Sequence, residues 1–225
     1  MADVNEGGNR ERLRLFLMKV ASAGYEIRGL LDADQSQLIS EDLPSNAWIT
    51  DLRDIEGYVL AEENVEIALR LGWGIDGISA SSLTKSMSET AAFLAAVRIV
   101  SHRMNLQLPV SRSRFKGYIT ANGTGSLRLD RTAYLRALLR AADISLREQE
   151  DIDRAISAAM DEIAGIPIEK VRHGKDCMRL LTVQFRSVGA SDLTDVAPLL
   201  WSSFRQDRLI QYPVLREILK YLNGR

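Results

Sequence analysis

Two short apolar runs, each closed by carboxylates, constrain this chain more than any other feature. Tyr25 to Leu31 turns apolar toward its end and runs into Asp32-Ala33-Asp34. Ala47-Trp48-Ile49-Thr50 runs into Asp51, with Asp54-Ile55-Glu56 just beyond. Runs this short and apolar read as strands of a small buried parallel sheet. Strand side chains alternate with period two, so a strand ending in Asp-x-Asp puts both carboxylates on one face. Ligands of such sheets collect at the carboxyl ends of the strands, where Asp32, Asp34 and Asp51 all fall. Convergent carboxylates are hard oxygen donors, suited to Mg²⁺ or Mn²⁺. Phosphate chemistry is the usual work of a site of that kind.

The surrounding pattern supports an α/β start. Leu13, Leu15, Phe16, Leu17 and Val20 recur at helical spacing between Asn9, a good N-cap, and Gly24, a good stop. Arg10, Arg12, Arg14 and Lys19 then form the wet face of that helix. Residues 35–46 read as a polar loop, and 55–71 as mostly helical with a break near Glu63-Asn64. Strand, helix and strand in this order imply a parallel sheet with right-handed crossovers. From Ser81 onward the periodicity is helical, over 82–104, 130–142, 175–188, 192–204 and 213–222. Residues 106–126 read as irregular or short β. Ser145-Leu146-Arg147-Glu148 has the capping-box spacing and opens a further helix to Ala164, which Gly165-Ile166-Pro167 ends. The fold class expected is therefore α/β plus α. An α/β domain over 1–78, with a small parallel sheet flanked by helices, precedes a mainly helical domain over 79–225.

Composition narrows the function classes. The 225 residues carry a net charge of -1, so nucleic-acid affinity cannot come from the chain as a whole. It would need a local basic surface, and Arg112-Ser113-Arg114-Phe115-Lys116 is the strongest basic cluster. Arg112, Arg114 and Lys116 are the nucleic-acid-binding candidates, with Phe115 available for stacking. Solvated charge around one buried Phe accounts for the same residues, and both readings stand at this point. A single cysteine, Cys177, excludes an internal disulfide, and His102 and His173 are too few to complete a zinc site with it. No apolar run reaches the roughly 18 residues of a membrane span. The polar, acidic start Met1-Ala2-Asp3-Val4-Asn5-Glu6 does not read as a signal peptide. A cytoplasmic protein without membrane association is the expectation.

Several short motifs occur in a shared order: Gly7-Gly8, Asp32-Ala33-Asp34, Thr50-Asp51 through Asp54-Ile55-Glu56, and His173-Gly174-Lys175-Asp176. In this order the chain resembles the bacterial domain-of-unknown-function family 4435, a Toprim-like family similar to the nuclease halves of overcoming-lysogenization-defect proteins. The resemblance implies a Toprim-like sheet in which Asp32 and Asp34 are metal ligands. It makes Glu56 a further acidic residue of the metal and catalytic site, and Lys175 a catalytic cation that stabilises phosphate charge. It implies a Mg²⁺- or Mn²⁺-dependent nuclease, or a nuclease-derived subunit, of bacterial antiphage defence. The partners implied are nucleic acid, DNA ahead of RNA, an ATPase, and a second copy of the chain.

The chain departs from that pattern in one respect. A Toprim domain opens with a strand ending in glutamate, and no such strand precedes Glu6. The alternative is therefore a catalytically degenerate Toprim-like module that binds a partner protein or nucleic acid. Leu31-Asp32-Ala33-Asp34-Gln35-Ser36 is also similar to the first motif of haloacid-dehalogenase-type phosphatases. The missing late Gly-Asp-x-x-x-Asp motif and the helical second half set that reading aside.

Overall fold

The computed structural model describes residues 9–34, 43–110, 115 and 117–224. It divides into two compact units, Met1–Ile55 with Arg205–Arg225, and Glu56–Phe204.

The first unit begins with helix α1 (Asn9–Ser22), which stops where Gly24 takes a left-handed φ of +78°. Strands β1 (Gly29–Leu31) and β2 (Ala47–Ile49) pair in parallel, Gly29 opposite Ala47 and Leu31 opposite Ile49. Leu17 of α1 is buried against β1. An added Cβ at Gly29 would lie 2.9 Å from Leu17 Cδ1, so glycine lets helix and strand approach closely without moving the Leu17 side chain. Asn46 Nδ2 donates to the carbonyls of Leu17 (3.0 Å) and Ile27 (2.8 Å), which fixes the two elements relative to each other.

The expected strand over 25–31 is shorter in the structure. Tyr25 N–H turns back to the Val20 carbonyl at the helix end, and the ladder starts only where Gly29 N–H meets the Asn46 carbonyl. The last helix of the chain, α8 (Pro213–Asn223), belongs to this unit and starts on a proline that needs no N–H partner. Its Tyr221 meets Trp48 of β2 edge-on at 5.2 Å, with the Arg28 guanidinium 5.2 Å from the Trp48 ring and 5.5 Å from the Tyr221 ring.

The second unit is built around helix α3 (Ala80–Arg103), whose N-terminus is capped by the Ser79 hydroxyl accepting from Ser82 N–H at 3.3 Å. Leu83, Met87, Leu94, Ala96 and Val97 are buried along it. Helices α5 (Gln149–Ile163) and α6 (Gly174–Ser187) pack on it. A β-hairpin, β3 (Ile119–Ala121) and β4 (Leu127–Leu129), also lies against α3 and supplies the short β element of the 106–126 region. Gln184 is fully buried, and its Nε2 donates to the carbonyls of Leu83 (3.1 Å) and Gly125 (2.6 Å), tying α6 to α3 and the hairpin turn. Helix α4 (Arg131–Ala141) follows the hairpin, with Asp130 capping Ala133 N–H at 2.9 Å.

Residues 55–72 form a 3₁₀ segment (Ile55–Leu60), helix α2 (Glu62–Ile67) and a wide π turn (Ala68–Gly72). The break falls at Ala61 rather than at Glu63-Asn64. Val65, Ala68 and Leu69 bury their side chains, and α2 packs on α3 and on α7 (Ala197–Ser203). That packing places 56–78 with the helices, so the units part at Ile55/Glu56 and at Phe204/Arg205 rather than between 78 and 79. Among the described residues no helix is long and apolar enough to cross a membrane.

Candidate functional site

In the first unit β1 ends at Leu31, and the next three residues form a turn. Asp34 sits in the left-handed region with φ +45°, so strand alternation does not set the directions of Asp32 and Asp34. The turn is held from the end of β2. Ala33 N–H donates to Thr50 Oγ1 (2.8 Å), Thr50 Oγ1 donates to the Leu52 carbonyl (2.7 Å), and Asp34 N–H donates to the Arg53 carbonyl (2.7 Å).

Both carboxylates meet protein donors. Asp32 Oδ1 accepts from Ile55 N–H at 3.1 Å. Arg10 Nε lies 3.1 Å from Asp34 Oδ2 and 2.9 Å from the Asp32 carbonyl oxygen. Arg10 therefore leaves the solvated face that helical spacing assigns to it and reaches the acidic turn. Asp51 points its carboxylate at the last helix instead. Both of its oxygens lie 3.2 Å from Val214 N–H, which caps the start of α8.

The second unit holds Glu56 and Lys175, and the fold brings them together across a long stretch of chain. Lys175 Nζ stands 3.9 Å from Glu56 Oε1, with the lysine exposed and the glutamate largely buried. Asp176, beside Lys175 in the first turn of α6, is buried and ion-paired with Arg98 of α3, with Arg179 4.0 Å away. His173 is the N-cap residue of α6, and its side chain makes no capping bond. Arg172 is buried as well, and neutral groups receive it: Nη1 donates to Ser88 Oγ (3.0 Å) and Nη2 to the Leu60 carbonyl (3.3 Å). Cys177 is fully buried, in keeping with a small apolar side chain.

As donors, Asp32 and Asp34 fit a hard divalent cation, and such an ion would compete with Arg10 for Asp34. Among the described residues no three or more His, Cys, Asp or Glu side chains gather as a metal site would need. Hydrogen bonds from Arg14, Arg103 and Arg205 lower Glu11, Glu162 and Asp207 respectively.

Arg112, Arg114 and Lys116 lie outside the described residues. Phe115 between them is buried, its ring 6.0 Å from that of Tyr134. The residues that follow line a hollow of about 590 Å³: Gly117, Tyr118 and Thr120 of the hairpin, then Arg128, Leu129, Asp130 and Arg131. Arg128 and Arg131 stand three residues apart, with Leu129 and Asp130 between them, and read in the sequence as ordinary surface charge. No family model matches the chain, and no curated protein matches it.

Proposed function

We propose that the chain is a Toprim-like, divalent-metal-dependent nuclease or nuclease-derived subunit that acts on phosphodiesters, DNA ahead of RNA, in bacterial antiphage defence. The observation that carries this reading is the position of Asp32 and Asp34. They sit on one turn at the carboxyl end of a parallel strand, where α/β sheets place their chemistry. A bound Mg²⁺ or Mn²⁺ would supply a Lewis acid and an activated water for phosphodiester cleavage.

The chain's own part is to present two hard carboxylates on a turn braced by Thr50 and by the Arg53 carbonyl. Arg10 lies 3.1 Å from Asp34, so a divalent cation at Asp34 would have to compete with it, and the guanidinium would supply a positive charge beside the turn for a phosphate. Lys175 and Glu56 form a pair in the second unit, and the resemblance gives them site roles that mutagenesis can test separately.

The test is incubation of plasmid DNA, single-stranded DNA and RNA with the protein and Mg²⁺ or Mn²⁺. Metal-dependent cleavage by the wild type that Asp32→Ala with Asp34→Ala abolishes is the expected outcome. Cleavage unaffected by that double substitution overturns the assignment.

The second reading is a catalytically degenerate module that binds a partner, an ATPase or a second copy of the chain. It is favoured by the engagement of both carboxylates with Ile55 N–H and Arg10. It predicts no turnover with any of the three substrates and a stable complex or dimer in light scattering.

A further inference from the structure

We propose that the hollow between the β3–β4 hairpin and the start of α4 binds a single-stranded nucleic acid, with its phosphates on Arg128 and Arg131 and a base on Tyr118. The inference deepens the reading above by naming a binding surface and its substrate class. It rests on the nucleic-acid half of that reading and not on the metal.

Three observations converge on it. The first is the size of the hollow, about 590 Å³, enough for a nucleotide or two. The second is charge. Arg128 and Arg131 both line the hollow, both are exposed, and neither forms an ion pair among the described residues. Arg131 is steadied with its guanidinium 5.1 Å from the Phe93 ring centre. It is also the first residue of an 11-residue helix, where the backbone dipole favours an anion. Asp130 is the one carboxylate among the described residues of the lining, and its Oδ1 is committed to Ala133 N–H at 2.9 Å.

The third observation is the aromatic. Tyr118 is half-buried and braced edge-on by Tyr134 at 5.7 Å, and its carbonyl accepts from Asp130 N–H at 2.8 Å. A ring fixed in that way beside two guanidinium forks offers what an unpaired base and its flanking phosphates need. A duplex buries its bases in the stack and could not use the ring.

The experiment is fluorescence anisotropy of a labelled oligothymidylate of about 12 nucleotides, titrated with the full chain in EDTA. The wild type binds saturably. Arg128→Glu alone weakens binding several-fold, and Arg128→Glu with Arg131→Glu weakens it by about tenfold or more. The double variant also flattens the salt dependence by about 1.4 in log–log slope, from two lost phosphate contacts. Tyr118→Leu weakens binding by about tenfold. A thermal melt of each variant accompanies the titration, and Arg128→Glu, at an exposed position, stands in where Arg131→Glu lowers the melt through its Phe93 contact.

Arg128→Glu weakens binding in EDTA whether or not Asp32 and Asp34 are intact, so loss of the metal site and loss of this site are separately readable. A wild type that binds no oligonucleotide overturns the proposal. So does an Arg128→Glu variant with wild-type affinity, or equal affinity for duplex DNA or polyglutamate. Tight oligonucleotide binding without any metal-dependent cleavage sinks the nuclease reading and leaves this one standing.

Discussion

Among single residues, the acidic side chains of this protein divide by what the fold gives them as partners. Asp51 caps a helix, Asp34 meets Arg10, and Asp176 meets Arg98 in the interior. Asp176 shows how far sequence reaches. An aspartate in the first turn of a helix reads as a dipole-stabilising cap, which local pattern explains completely. Its burial depends on Arg98, 78 residues away, and on the packing of α6 against α3, which no local pattern contains. Asp176→Asn removes the carboxylate paired with the largely buried Arg98, so we expect a loss of about 3 kcal/mol, measured by urea unfolding. Unchanged stability would mean that water compensates the arginine. The Asp32-Ala33-Asp34 carboxylate pair was legible because its residues are adjacent, but the turn that carries it beyond Leu31 was not. Arg10 was not, because only the seating of α1 on β1 brings it to the turn.

Among the elements, most helices were legible from periodicity and caps, and the connections were not. Asp130 and Gly24 end or begin helices where their chemistry says they should. The capping box at Ser145 formed only in part. The Ser145 hydroxyl accepts from Arg147 N–H, at 3.3 Å, and opens a 3₁₀ turn (Leu146–Glu148) that runs into α5. Gly125 is the sharpest test of the hairpin. Its φ is +79°, and an added Cβ would lie 2.0 Å from buried Leu83 Cδ2. Gly125→Ala therefore costs about 2 kcal/mol through backbone strain and overpacking, read as a lowered melting temperature.

Between α3 and α5, Arg103 holds Glu162 bidentately at 2.7 and 2.8 Å. That hydrogen bonding lowers the Glu162 carboxyl from its ordinary value of 4.5. The folded-state value is depressed, so the pair's stabilisation is fully present above 4.5 and disappears as pH falls through the lowered value. Glu162→Gln should differ from the wild type in unfolding at neutral pH and converge with it in acid. A difference that persists at low pH would contradict the assignment.

In the molecule as a whole, the chain folds as a discontinuous unit and a continuous one. Chain order places α8 among the C-terminal helices. Its Val214 N–H on Asp51 and its Tyr221 on Trp48 instead assign it to the first unit. Deleting Arg205–Arg225 should strip hydrogen-exchange protection from the β1–β2 ladder, including Thr50 N–H on the Leu31 carbonyl, and spare the α3 amides. Uniform loss of protection would show that the units do not fold separately.

That Asp32 and Asp34 hold a divalent cation is the premise of the catalytic reading, and isothermal calorimetry with Mn²⁺ reads it. The wild type should show a saturable binding heat that Asp32→Ala with Asp34→Ala removes. Arg10→Ala should bind Mn²⁺ more tightly, since it releases Asp34 from its competing cation. A flat titration of the wild type, or one that the double substitution leaves intact, would show that the acidic turn is not a metal site.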